Sequence, residues 1–149
     1  MVLAVVLAAL LFCFVFFKRH IGIAFLAMVA GLAVYDHFGA LFAETIHTWV
    51  PTVDVTLTQQ ILYALFVAVI PLLLYFRAGK SGLFGLLRIA EAVVFAATLT
   101  VLLSDLLVYY FSFDTLAAEI TQWLDGAHGY MMVAGVILAY VDIFFYRSV

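Results

Sequence analysis

Charge is scarce in this chain and positive charge scarcer still, with six Lys and Arg against nine Asp and Glu in 149 residues. No basic run exists to hold a polyanion, so nucleic acid is excluded as a partner. The single cysteine, Cys13, excludes an intrachain disulfide and a paired-thiol redox centre. Set inside an apolar run, it reads as a small hydrophobe. Proline is nearly absent: only Pro51 and Pro71 are available to break a helix. There is no Ser-His-Asp order and no zinc-protease motif. Residues 77–82, R-A-G-K-S-G, lack the spacing and the preceding strand of a phosphate loop, and read instead as a basic connector. The expectation is therefore no enzyme, no cofactor and no metal.

Apolar residues fill the space. They make up 69% of the chain, with a mean hydropathy of +1.29, against about half in a soluble domain. Lipid must be the solvent. Five runs approach spanning length: Val2–Phe17, Ile21–Tyr35, Leu57–Phe76, Leu83–Tyr110 and His128–Tyr146. Lys18 and Arg19 follow the first run rather than precede it, so it reads as an uncleaved helix and not a secretory signal. With alternating crossings, Lys18 and Arg19, then Arg77, Lys80 and Arg88, then Arg147 all fall on one side. The other side receives Asp36, Glu44 and Asp54, then Asp114, Glu119 and Asp125, without a cation. The positive-inside rule makes the N-terminus external and the C-terminus cytoplasmic, in a bacterial or archaeal cytoplasmic membrane.

Two outer segments carry apolar stripes at helical spacing. One is Phe38, Leu41, Phe42, Ile46 and Trp49; the other is Phe113, Leu116, Ile120, Trp123 and Leu124. Each is expected to be a short amphipathic helix lying in the interface, the first stopped by Pro51 and the second released at Asp125 and Gly126. The segments share Y-x-x-F-x-x-L-x-A-E, from Tyr35 to Glu44 and again from Tyr110 to Glu119, at an offset of 75. This repeat suggests two parallel copies of a helical hairpin. The expected architecture is one all-α transmembrane domain over 1–149: an extra N-terminal helix (1–19), a first hairpin repeat (20–80) and a second (81–149). Small residues four apart, such as Ala27 with Gly31 and Gly135 with Ala139, would let its helices pack closely.

The sharpest signal is a polar stripe. Glu91, Thr98 and Asp105 recur every seven residues in the fourth span, with Arg88 one turn before Glu91; His128, Gly135 and Asp142 recur likewise in the fifth. Seven residues return to nearly the same helix face. An ionised side chain at a helix centre costs about 2.5–3.5 kcal/mol on the gentler insertion scale, so these groups should turn inward. They form either ion pairs that glue helices or a path for protons or cations. In the first repeat Ala30 stands where the second has Asp105, so any such path is asymmetric.

On the outer surface, Glu44 and His47 form an E-x-x-H pair. The second copy has Glu119 and Gln122, which supplies no imidazole for a di-metal site, and these residues read as outer-surface contacts. His37 and His128 both end spans without any other mark of a haem site. The stretch from Gly82 to Arg88 before an apolar span is similar to small multi-pass proteins of the colicin V production type; it covers a handful of residues, and nothing is carried over from it. Two functions remain. The first is a structural or assembly subunit that self-associates or meets other membrane subunits in the bilayer. The alternative is a small oligomeric transporter or channel for protons or cations, built on Arg88, Glu91, Thr98, Asp105, His128 and Asp142.

Overall fold

The computed structural model describes the backbone of residues 2–17, 20–78, 86–110 and 115–145, and the side chains of 7–16, 20–78, 86–104 and 126–144. The described residues form helices and no strand. In order they are α1 (Val2–Phe17), α2 (Ile21–Trp49), α3 (Val55–Arg77), α4 (Leu86–Tyr110) and α5 (Thr115–Phe145). Four of them, α2 to α5, contain stretches long and apolar enough to cross a membrane. In hydrocarbon every backbone N–H and C=O must be satisfied within its own segment, which is why such a sequence has helix as its resting state. With 16 residues, α1 rises about 24 Å, short of the roughly 30 Å of a bilayer core.

The connection between α2 and α3 is built locally. Val50 returns its N–H to the Ile46 carbonyl at 2.8 Å, and Pro51 follows, unable to continue the helix. Asp54 then caps α3, its carboxylate accepting the Thr56 N–H at 2.8 Å. Lower in α3, residues Leu65–Val69 widen into a π-helical turn just before Pro71. Proline offers no N–H to the Val67 carbonyl and its ring crowds that group, so the preceding turn loosens. The widened turn fits against α2 where Gly31 presents no side chain: a Cβ there would overlap the Phe66 carbonyl.

The core lies between α1, α2, α3 and α4. The Phe14 ring meets Tyr75 edge-on at 5.0 Å and Phe95 at 4.7 Å, and Phe95 in turn meets Phe25 at 6.0 Å. Met28, Ala92, Ala96 and Leu99 fill the space around them. Helix α5 packs on both α4 and α2, while α1 packs on α4. The first helix joins the core through Phe14.

Two sequence expectations meet a different geometry. The segment from Phe38 to Trp49 is no separate interfacial helix but the continuation of α2, which runs unbroken for 29 residues, about 43 Å. Asp36 and His37 are polar, but neither breaks a helix; both sit on the exposed side while the chain runs on to Pro51. The stripe of Phe38, Leu41, Phe42 and Trp49 is exposed, and Gly39 and Ala43 face the protein. Likewise Asp125 and Gly126 do not release a second short helix, because α5 is continuous from Thr115 through them. A glycine costs a helix only about 1 kcal/mol, less than leaving polar backbone groups unpaired in an apolar surrounding. Nor do the repeat's copies share one geometry. Shifted by 75, the break at 50–54 would fall at 125–129, inside α5, whereas α4 ends at Tyr110.

Candidate functional site

The ionisable side chains of α4 and α5 gather where α1 ends and α2 begins. Arg88, on the first turn of α4, is 7% exposed; Glu91, one turn on, is 2% exposed, and Asp142 near the end of α5 is fully buried. Since α4 starts where α5 finishes, the two helices are antiparallel neighbours.

Each charge meets a helix terminus. The carbonyl end of a helix carries the negative end of its dipole. The Arg88 guanidinium reaches that end of α1 from α4, Nη2 donating to the Phe14 carbonyl at 3.3 Å and the Val15 carbonyl at 3.1 Å. The Tyr75 hydroxyl, from α3, approaches the carbonyls of Cys13 and Phe14 at 3.3 and 3.4 Å. At the start of α2 the need is reversed: its first N–H groups require acceptors, and the capping residue, His20, supplies no side-chain hydrogen bond of its own. Asp142 fills the role from α5. Its Oδ2 accepts the Gly22 N–H at 3.3 Å, and both its oxygens lie 3.1 Å from Nδ1 of His20. The close approach depends on Gly22, where a Cβ would stand 2.8 Å from the Ala139 carbonyl. Arg88 and Asp142 therefore cap, from other helices, the two ends left by the break between α1 and α2.

Glu91 sits between these caps. It feels repulsion from Asp142 and attraction from Arg88. Its Oε1 is buried without a hydrogen-bond partner, as is Nε of Arg88. The pairing of Arg88 with Glu91 expected from their one-turn spacing is thus Coulombic, while the guanidinium's hydrogen bonds go to α1.

The remaining stripe residues lie apart from this cluster. Thr98 is fully buried and donates to the Val94 carbonyl of its own helix at 2.7 Å. Thr100 and Ser104 are buried on α4 and bond back similarly, to Ala96 and Val101. Gly135 does not face Thr98; it lies against the Phe25 ring, because this face of α5 is turned to α2. His128 is half-buried, with Nε2 lacking a partner. The side chains of Asp105 and Glu119 lie outside the described residues. Glu44 is exposed, and His47 turns away from it, Nδ1 contacting the Val53 carbonyl at 2.8 Å and so fastening the α2–α3 connection. Among the described residues no group of three His, Cys, Asp or Glu side chains is placed to hold a metal.

His20 was not singled out from the sequence. The available signal was depth: it immediately precedes α2 at the end of the bundle where Asp142 closes α5. The fold and cluster together define a polytopic α-helical chain of membrane-spanning character. Comparison with protein-family models, curated proteins and solved structures finds no match to any part of it, the stretch from Gly82 to Arg88 included.

Proposed function

We propose that the protein is a small structural or assembly subunit of a membrane complex. In this reading all five helices cross, the N-terminus is external, and the caps lie at the cytoplasmic end, where the cations gather. One observation carries the proposal: of the three buried charges, Arg88 and Asp142 are engaged in closing helix ends. Arg88 is committed to α1, and Asp142 to α2 and His20. A conducting path needs groups free to exchange partners; a scaffold needs them fixed. The surface such a subunit offers to lipid or a neighbouring helix is the exposed row of α5, Tyr130, Val133, Ile137, Tyr140 and Phe144, spaced alternately three and four residues apart.

Proton- or cation-linked transport is the second reading, supported by the buried hydroxyls of Thr98, Thr100 and Ser104 between Glu91 and the unpartnered nitrogen of His128. The two separate in liposomes. For a structural subunit, the reconstituted protein carries no proton or cation flux, and Asp142→Asn lowers its yield and thermal midpoint. Flux in the wild type, abolished in stable Glu91→Gln and Asp142→Asn variants, overturns the structural reading in favour of transport. Topology is checked separately: a reporter fused after Val149 is expected to read cytoplasmic, and an external signal overturns the orientation.

A further inference from the structure

Helix α2 continues past its neighbour at the end of the bundle away from the caps. Gly31 meets Phe66 across the antiparallel pair α2 and α3, and Val55, where α3 begins, lies as far before Phe66 as Phe42 lies after Gly31. From Phe42 to Trp49, α2 thus rises about 10 Å beyond the start of α3. With the caps at one edge of the hydrocarbon core, about 30 Å of helix brings the opposite edge to the level of Leu41. A deeper setting would carry Asp36, which is exposed, toward the middle of the core, where a charge is costly. The last two turns of α2 therefore stand outside the hydrocarbon.

Their surface is apolar all the same. Phe38, Leu41, Phe42 and Trp49 share one face, the later three at three, four and eleven residues from the first, and Trp49 is 80% exposed. They are ordered by depth. Hydrocarbon side chains stand at the core edge and the indole comes last, leaning back toward the core as helical side chains lean toward the N-terminus. Exposed polar groups nearby are turned onto the helix itself. The Thr45 hydroxyl donates to the Leu41 carbonyl at 2.7 Å, the Thr48 hydroxyl to the Glu44 carbonyl at 2.9 Å, and Nδ1 of His37 lies 3.0 Å from the Ala33 carbonyl. Bonding back in this way satisfies a hydroxyl where water is scarce. No Lys or Arg occurs between residues 20 and 76, so nothing on α2 or its connection to α3 selects an anionic headgroup.

We propose that this end of α2 is seated in the headgroup layer of the bilayer, with Trp49 as its anchor among zwitterionic headgroups. An indole suits that depth because its ring is apolar while its N–H can donate to headgroup oxygens. The anchor fixes the height of α2 and, through the contact of Gly31 with Phe66, that of α3. The inference rests on α2 crossing the bilayer with the caps at one face, as proposed above, and on neither the subunit nor the transport role.

The test is fluorescence of the full chain in phosphatidylcholine vesicles, with Trp123→Phe leaving Trp49 as the one tryptophan. Quenching is expected to be strongest with a lipid spin-labelled beside the headgroup, weaker with a label at the chain end, and slight with iodide on both faces. A reference variant, Ala30→Trp with both native tryptophans changed to Phe, puts the indole about 28 Å away at an exposed position of α2, and should reverse the order of the two lipid labels. Strong iodide quenching of Trp49 overturns the proposal by placing this end in water, and a maximum at the deep label overturns it by placing it in the core. Protection from iodide and both labels overturns it in favour of a protein cover, such as a second copy. Where Trp49 fails but the reference answers to the deep label, the crossing of α2 stands and the anchor alone is lost. A reference that no lipid label reaches removes the crossing as well. Should Trp123→Phe not fold, the quenching lost on Trp49→Phe in the two-tryptophan chain reads the same depth.

Discussion

Arg88→Met is expected to lose about 3–5 kcal/mol of stability, the range for removing one member of a buried charged set. The substitution keeps length and apolar bulk, so the loss isolates charge and hydrogen bonding. Three consequences act together. The carbonyls of Phe14 and Val15 lose their donor from α4, and a hydrogen bond to a charged group contributes about 1.5–3 kcal/mol. The negative end of α1 loses its facing cation. Glu91 loses the attraction of the guanidinium and keeps the repulsion of Asp142. The measurement is thermal unfolding in detergent micelles, with and without Glu91→Gln. Removing the uncompensated acid should recover part of the loss, so the double variant is expected to be more stable than Arg88→Met alone. Strict additivity of the two substitutions would show that the residues do not interact and would leave Arg88 with a capping role only.

How far the sequence discloses this arrangement depends on the range of the physics. Spanning helices are legible because the bilayer acts on each segment separately: twenty apolar residues in lipid become a helix whatever their neighbours. The stop at Pro51 is legible because proline acts within a few residues of itself. The same holds for the cost of charge on α4, which makes Glu91 and Arg88 candidates for burial from their helix face alone. What these residues touch is not legible. His20, which meets Asp142, lies 122 positions away from it in the chain, and no local pattern marks His20 as different from any histidine beside a span. The continuation of α2 past Asp36 was obscured for a related reason. Polar residues such as Asp36 and His37 suggest the edge of a helix but mark only a change in surroundings. Gly126 misleads in the same way, since a glycine ends a helix only where the chain has somewhere better to go.

Gly31→Val should be the most damaging single change in the middle of the bundle, at or above the upper end of the about 1–3 kcal/mol typical of overpacking. The obstacle is what the new side chain would meet. At Gly31 it is the Phe66 carbonyl of the π-turn, a backbone atom that cannot rotate aside. To admit even a Cβ, α2 and α3 must separate. Separation undoes the edge-on contact of Tyr35 with Tyr63, whose centroids lie 5.0 Å apart, and strains the 2.7 Å hydrogen bond from the Tyr63 hydroxyl to the Leu102 carbonyl of α4. The loss should therefore spread from a two-helix contact to a three-helix one, because lipid supplies no hydrophobic force to press the pieces together again. Gly129→Ala is the matching control: nothing lies within 4 Å of the position its Cβ would take, and relieving a helical glycine is worth up to about 1 kcal/mol. Thermal midpoints in detergent should fall steeply for the first variant and hold or rise for the second. Equal midpoints for Gly31→Val and the wild type would mean that α2 and α3 do not pack backbone to backbone at the π-turn.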